Sequence, residues 1–521
     1  MSATRPPQGP YVLGIDFGTE SCRVSIVDVS GSPVTFAATP YSTTHPKSGW
    51  AEQSPEDWWD ALEASTAKVL QQSGIPAHAI EGISYDATSM TVVALRKDGR
   101  HLAPAIMWMD VRAVEQAKRA EGSSSVALRY NGDGAAPASP EWFPFKAAWL
   151  KEHQPDVYRD ADYLVDAPDW ITHRLTGEWT LNINSAAHRM YFNRDEGGWP
   201  TDFYEEVGAG DVFEKIPTNV VDLGVPVGGL SQKAARALGL TPGTPVAQGC
   251  VDAWAGQIGL GVVEPGTFAL ITGSSHVLTG QTAKSVSGKG FFGGYTDGVI
   301  PGQYTVEGGQ VSTGSVLKWF KDNFARDVVA AAERTGLNAY DVLNQQSRHL
   351  PPGSEGLIVN EYFQGNRTPY TDGQARGILW GLSLRHGPEH IYHAIQESVC
   401  YGTEHNLRAM REAGIDVQKI VACGGATNSP EWMQMHADVT GVPITLTEVG
   451  DAVVLGSAIL AATGAGLFDS VPDAARAMVT ETETIEPDAE RHEEYRYFVD
   501  AYIDTYPRLR ERIHDMQDHI A

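Results

Sequence analysis

Apolar and polar positions alternate through residues 21–27, where Cys22, Val24 and Ile26 oppose Arg23 and Ser25, and this period of two predicts a half-buried strand. An apolar run at residues 11–15 precedes it. Between the two lies a tight turn, Asp16-Phe17-Gly18-Thr19-Glu20-Ser21. The same arrangement returns in the second half of the chain, with an apolar run at 267–271, the turn Thr272-Gly273-Ser274-Ser275, and a further strand at 276–278. A glycine turn between two strands directs backbone N–H groups and small hydroxyls to one side, and that arrangement accepts the oxygens of a polyphosphate. Either turn alone is equally an ordinary glycine-serine hairpin; the pairing points to phosphate and suggests an ancient duplication.

From Pro55, the spacing of Trp58, Leu62 and Val69 predicts an amphipathic helix. Residues 82–85 and 91–95 read as a strand pair around Asp86-Ala87-Thr88-Ser89-Met90, whose polar groups are either a ligand rim or a simple loop. Residues 122–229 are rich in Trp, Pro and Asp without a clear period, and are expected to form an irregular cap over a cleft. Regularity returns at Val246, where a strand leads through Gly249-Cys250-Val251-Asp252 into a helix carrying Ala253, Ala255 and Ile258. The cluster Gly259, Gly261, Pro265 and Gly266 marks a domain boundary, dividing the chain into 11–258 and 259–521. The clearest helix spans 388–413, with Ile391, Ile395, Val399, Leu407 and Met410 on one face and Gly414 as its stop. A strand at 419–423, the turn Gly424-Gly425-Ala426, and a helix capped by Ser429 with Pro430 at its first position follow, ending at Gly441. Residues 454–465 are helical and dominated by Gly, Ser and Ala, which permits close helix packing. Residues 481–506 read as a peripheral helix with charged faces.

At 521 residues the chain is too long for one ordinary core, so two large domains are expected. With 39 basic against 65 acidic residues the net charge is −26, and no long basic run offsets it. That argues against nucleic acid or an anionic membrane as partner, while one local basic pocket still suffices for ATP. The four cysteines are scattered without CxxC spacing, as buried thiols in a reducing cytoplasm would be. The first ten residues have the character of neither a signal peptide nor a membrane span, so a soluble cytoplasmic protein is expected.

Asp252, at the mouth of a strand and entering a helix, is placed either to accept the proton of an attacking hydroxyl or simply to cap the helix. Asp16, beside the first turn, suits Mg²⁺ held through water, or ordinary turn chemistry. Gly424-Gly425-Ala426-Thr427-Asn428 lies between strand and helix, where glycines let a flat base approach the backbone and Asn428 can bond an adenine or ribose edge. The pattern is neither GxGxxG with a following acid nor GxxxxGK[ST], so a Rossmann site and a P-loop are both unsupported. His386, His390 and His393 have helical spacing but no matching fourth metal ligand, and are read as a solvated helix start.

Six segments in order carry a resemblance: DFGTESCRVSIVD from Asp16, FPFKAAWL from Phe143, GCVDAWAG from Gly249, LITGSS from Leu270, GSVLKWF from Gly314, and GGATNSPEWMQMHADVTGVPI from Gly424. Together they resemble the FGGY carbohydrate kinases, over about residues 11–465. The resemblance implies an α/β protein with the two-domain actin-like ATPase (ribonuclease H-like) fold, mixed sheets flanked by helices closing over a sugar and ATP with Mg²⁺. It implies Asp252 as catalytic base and Asp16 as the Mg²⁺-proximal aspartate. Gly18, Thr19, Ser21 and Arg23 would belong to the first phosphate hairpin, Thr272 and Gly273 to the second, and Gly314, Gly425 and Asn428 to the adenosine. A homodimer or other homo-oligomer is expected.

Glycerol kinases have an Arg-Glu pair where this chain has Ser89-Met90, which points away from glycerol. SPEWFPFK from Ser139, SAAHRMYFN from Ser185 and VEGGQVSTGSVLKWF from Val306 resemble the ribulokinase branch. On those motifs Thr88, Trp142, Arg189, Asp252 and Glu307 become the sugar-site candidates. Ribulokinases of the arabinose pathway usually have Lys where this chain has Arg189, so the stereochemistry and carbon count of the ketose stay open. Xylulose, erythrulose and polyols are alternatives within the class; an actin-like ATPase without a sugar acceptor is the alternative outside it.

Overall fold

The protein is described by a computed structural model covering residues 9–520. Two seven-stranded mixed sheets dominate it. The first is built from β1 (Tyr11–Phe17), β2 (Ser21–Asp28), β3 (Pro33–Pro40), β4 (Ile80–Ala87), β5 (Pro226–Gly229), β6 (Pro245–Ala247) and β7 (Cys250–Val251). β1 to β3 form an antiparallel meander, and β4 joins β1 in parallel and is flanked in parallel by β6 and β7. The second sheet repeats the scheme with β8 (Thr267–Thr272), β9 (His276–Thr282), β10 (Phe292–Thr296), β11 (Tyr304–Gln310), β12 (Lys419–Gly424), β13 (Ile444–Thr447) and β14 (Glu481–Ile485). Here β8, β9, β11 and β10 are antiparallel, while β12 and β13 continue in parallel from β8. Each sheet thus opens with a glycine hairpin whose first strand lies beside a parallel neighbour, the architecture expected of a duplicated unit.

Nine helices set the positions that matter below: α1 (Pro55–Ser73), α2 (Phe143–His153), α3 (Ile183–Arg189), α4 (Asp252–Gly259), α5 (Gly314–Phe324), α6 (Pro388–Glu412), α7 (Pro430–Thr440), α8 (Ala452–Gly464) and α9 (Ala489–Ile520). α8 is apolar all round and packs on α4, β1 and β4, so an element late in the chain closes the first sheet. Small residues make this approach possible: a Cβ on Gly456 would lie 1.9 Å from the Ala255 carbonyl oxygen. α6 follows the expected helix, with Ile395, Val399, Leu407 and Met410 in the core and Ile391 packed against it. Cys22, Cys250 and Cys400 are buried free thiols and Cys423 is partly buried. Among the described residues no helix is long and apolar enough to cross a membrane.

Four sequence expectations need correction. Residues 80–87 and 92–95 are not a strand pair: the first is β4, whereas Val92–Leu95 pairs with Tyr163–Asp166 in a separate four-stranded sheet. The chain changes sheet at Thr88–Thr91, where Asp166 accepts from the Ser89 hydroxyl at 2.6 Å and the Thr91 N–H at 2.8 Å. The 122–229 region is built around short helices rather than being irregular throughout, and its Phe145, Trp149, Tyr191, Phe203 and Tyr204 share a core with Met90, Val92, Ile106 and Tyr295. Its helices are short and packed by aromatic rings on several sides, which erases a single-face period. Residues 481–485 form the edge strand β14 instead of a helix, because Ile485 reaches the core beside Ile444. The helix starts at Ala489 and buries Tyr495, Val499, Tyr502 and Tyr506. Finally, His390 and His393 are buried rather than solvated: His393 Nδ1 lies 2.8 Å from Ser354 Oγ, which donates to Glu397 Oε2 at 2.7 Å.

Candidate active site

The parallel register brings Asp16, Asp86 and Cys250 side by side on β1, β4 and β7 at their C-terminal ends. Those ends open toward the second sheet, where ligand sites of open α/β sheets form. β7 then delivers Asp252 as the first residue of α4, half-buried, its Oδ1 accepting the Ala253 N–H at 2.7 Å. Burial, and then the neighbouring Asp16 carboxylate, push the Asp252 carboxyl up to about 7. A carboxylate poised there suits general-base work near neutral pH.

Asp16 is fully buried and ion-paired with Arg23. Burial pushes it up to about 6 against the pull of that guanidinium; burial first, and then the neighbouring Asp16, also raise the Asp86 carboxyl well above the usual range. Ser457 on α8 donates to Asp86 Oδ2 at 2.7 Å, and Asp451, which caps α8, takes Arg23 Nη1 at 2.9 Å. Arg23 therefore spans both halves of the chain as a strut between two carboxylates. Asp86 stood in the sequence as part of a polar rim with no role; its partnership with Asp16 depends on parallel pairing that local sequence does not display. Asp451 offered no signal beyond that of a helix cap.

The first hairpin is pinned by Tyr41, whose hydroxyl donates to the Gly18 carbonyl at 2.5 Å, and by Trp108, whose Nε1–H donates to Thr19 Oγ1 at 3.1 Å. Gly18 N–H meets the Ser21 carbonyl at 3.1 Å, closing the turn. In the second hairpin, Gly273 N–H meets the Ser275 carbonyl at 2.9 Å. The Thr272 hydroxyl is committed to the protein, donating to the Cys423 carbonyl at 2.6 Å and accepting the Ala426 N–H at 3.0 Å. Thr272 thus fastens the 424–426 turn to the hairpin. α5 starts against the same hairpin: Gly314 N–H donates to the Gly273 carbonyl at 3.2 Å, and a Cβ on Gly314 would stand 2.4 Å from that oxygen, so only glycine fits. A Cβ on Gly425 would meet no protein atom within 4 Å, and Asn428 is held beside it by Nδ2–H to the Gly425 carbonyl at 3.2 Å. Thr272, Gly273, Gly314, Gly425 and Asn428 therefore form one connected surface.

Between the sheets lies a cleft of about 490 Å³ that brings Thr88, Trp142, Arg189, Asp252 and Glu307 together, with Trp254 and Ser275 beside them. Arg189, the last residue of α3, forms a two-point ion pair with Glu307 on β11, at 2.8 Å and 3.2 Å. The Arg189 guanidinium also lies 5.4 Å from the Trp142 ring and 5.1 Å from the Trp254 ring. Its charge holds the Glu307 carboxyl below the usual range despite burial, which alone would raise it. The Thr88 hydroxyl lies 2.9 Å from that of Thr91.

A residue behind the cleft walls was also not singled out in the sequence. Lys146, inside FPFKAAWL, is fully buried on α2 and donates Nζ–H to the carbonyls of Met90 at 2.8 Å, Met107 at 2.7 Å and Trp108 at 3.4 Å. Met90 and Trp108 line the cleft, so one ammonium ties two of its walls together. Burial pulls this lysine down to about 8. A lone lysine on an otherwise apolar helix face was the available signal.

Comparison with known proteins agrees with this geometry. Residues 11–259 match the N-terminal domain, and residues 268–465 the C-terminal domain, of the FGGY family of carbohydrate kinases. A ribulokinase of Anoxybacillus flavithermus is 31% identical over 90% of this chain and 89% of its own length. An FGGY carbohydrate kinase domain-containing protein of Homo sapiens is 32% identical over 91% of this chain and 92% of its own. The crystal structure of xylulose kinase from Rhodospirillum rubrum superposes with a TM-score of 0.86 at 28% identity, covering 97% of this chain and all of that one. The two sheets and their interdomain cleft are the actin-like ATPase architecture, and the chain belongs to the FGGY family of carbohydrate kinases, enzymes that phosphorylate sugars with ATP.

Proposed function

We propose that this carbohydrate kinase transfers the γ-phosphoryl group of ATP to a primary hydroxyl of a ketopentose, with ribulose the preferred acceptor. The observation that carries the reading is the position of Asp252, a half-buried carboxyl raised to about 7, in the same cleft as the Arg189–Glu307 pair. Asp252 accepts the proton of the attacking hydroxyl. The guanidinium of Arg189 and the carboxylate of Glu307 offer donors and acceptors in fixed orientation to the sugar hydroxyls, and Trp142 offers an aromatic face to its C–H groups. The two hairpins hold the phosphates through backbone N–H groups, with Gly314, Gly425 and Asn428 along the adenosine. Closure of the cleft excludes water, which would otherwise compete as acceptor.

The donor set at the first hairpin suits Mg²⁺. Among the described residues no cluster of three or more His, Cys, Asp or Glu side chains forms a metal cage. Mg²⁺ instead takes one or two carboxylates and keeps water and phosphate oxygens as its other ligands. Asp16, with Asp86 behind it, is the carboxylate that would hold the ion through water; when bound, Mg²⁺ supplies neutralisation of phosphate charge.

Relatives that carry the name ribulokinase, at about 30% identity over most of the chain, support ribulose. The likeness to the R. rubrum structure favours xylulose as the second reading. Initial rates of ADP release over D- and L-ribulose, D- and L-xylulose, the tetruloses and the pentitols separate the two. Highest kcat/KM on a ribulose supports the first reading; activity confined to xylulose refutes it.

A further inference from the structure

The C-terminal helix α9 lies far from the candidate base in sequence, yet it grips one wall of the cleft. The turn formed by residues 364–373 contributes Gln364, Asn366, Arg367 and Thr371 to the cleft lining. Its two ends are sewn together by backbone: Asn366 N–H to the Asp372 carbonyl at 2.8 Å, and Asp372 N–H to the Asn366 carbonyl at 2.7 Å. Asn366 Oδ1 also accepts the Tyr370 N–H at 2.9 Å, so the turn behaves as a small closed unit. Its handle is the Asp372 side chain, which is buried and points away from the cleft into α9.

Three residues of α9, four apart on one helix face, converge on a single oxygen of that carboxylate. Tyr506 donates its hydroxyl to Asp372 Oδ2 at 2.6 Å, Arg510 Nε–H reaches the same atom at 3.1 Å, and His514 Nε2 lies 2.8 Å from it. Gln374 adds a second tie, its Nε2–H donating to Asp518 Oδ1 at 2.7 Å, and the Tyr370 ring packs 5.1 Å from that of Tyr506. A carboxylate gripped by a hydroxyl and a guanidinium fixes orientation as well as distance. At the cleft side of the turn stands Arg367, exposed, with no carboxylate within ion-pair distance among the described residues. Its charge is felt by Glu307.

We propose that α9 is the positioning element of the sugar cleft: Tyr506, Arg510 and His514 hold Asp372, and through it the 366–372 turn, so that Arg367 faces the acceptor as a specificity-determining cation. The inference rests on the reading of this cleft as the sugar site. It gives the charged C-terminal stretch a role that a merely peripheral helix would lack.

The test uses the full-length enzyme with Arg510→Ala and His514→Ala combined, because these side chains are 52% and 26% exposed and their removal leaves the core of α9 in place. The double variant is expected to raise KM for the best sugar about three- to tenfold, with kcat and KM for ATP within about twofold of wild type, since misplacement of one wall by a fraction of an ångström weakens acceptor binding selectively. Arg367→Gln is expected to raise the same constant, and the triple variant to add little to it, because both changes act through one contact. Arg510→Lys is expected to restore much of the loss. A sugar KM equal to wild type in a folded double variant overturns the proposal, as do equal shifts in both KM values that track a lowered melting temperature. If the double variant does not fold, Arg367→Gln decides alone, and an unchanged sugar KM there overturns it. A wild-type enzyme inactive on every sugar refutes the functional reading instead.

Discussion

Arg189 and Glu307 face each other across the cleft at 2.8 Å and 3.2 Å, a two-point ion pair that joins α3 of the first half to β11 of the second. Both side chains are largely buried, at 17% and 13% exposure, and the Trp142 and Trp254 rings flank the guanidinium. The pair is a joint between the halves of the molecule, and in the proposed function it is also the floor for the acceptor.

Breaking this pair has a predicted signature. Glu307→Gln leaves Arg189 without its counter-charge and is expected to raise KM for the sugar by at least about tenfold while lowering stability by about 3 kcal/mol. Arg189→Lys keeps the charge but loses the planar fork, and is expected to raise the sugar KM by a smaller factor. Steady-state kinetics with each substrate varied in turn, alongside urea unfolding, checks both.

Lys146 predicts a different outcome. Its ammonium satisfies carbonyls of both the 88–90 turn and the 107–108 segment, so Lys146→Met leaves those acceptors buried and unpaired at a cost of about 2–4 kcal/mol. The expected readout is a lower unfolding midpoint together with weaker sugar binding, while ATP affinity, measured by calorimetry, stays near wild type.

The acid limb of the pH profile follows from Asp252. A general base works only when deprotonated, so kcat/KM for the sugar is expected to fall as pH drops through about 7, roughly tenfold per unit below it. The sign for stability is the reverse. Asp252 and Asp16 have folded values above the unfolded carboxylate value, so their contribution is most favourable below about pH 4 and is lost as pH rises through about 6 to 7. Asp252→Asn is therefore expected to unfold at a higher temperature than wild type at pH 8, and scanning calorimetry at pH 5 and pH 8 measures the difference.

Much of the candidate site's local geometry was legible in the sequence because its parts are local. The two hairpins, the strand-to-helix entry at Asp252 and the turn at Gly425 each combine a short apolar run with glycine at a fixed place, and such signals survive without tertiary context. Thr88, Trp142, Arg189 and Glu307 were legible through their motifs alone; their meeting in one cleft depends on the packing of two sheets. What remained hidden is non-local. Asp86 acquires meaning only from its register beside Asp16, Asp451 only from Arg23, and Tyr506, Arg510 and His514 only from a shared oxygen on Asp372. The 122–229 region misled for a related reason: rings packed on several faces of short helices leave no period to read.

Whether Asp252 takes the acceptor's proton is decided by the turnover of Asp252→Asn at saturating sugar and ATP, with ATP affinity measured on the same preparation. The expected outcome is a loss in kcat of about 10² to 10⁴ with ATP binding nearly unchanged. Sugar phosphorylation by that variant at the wild-type rate would contradict it.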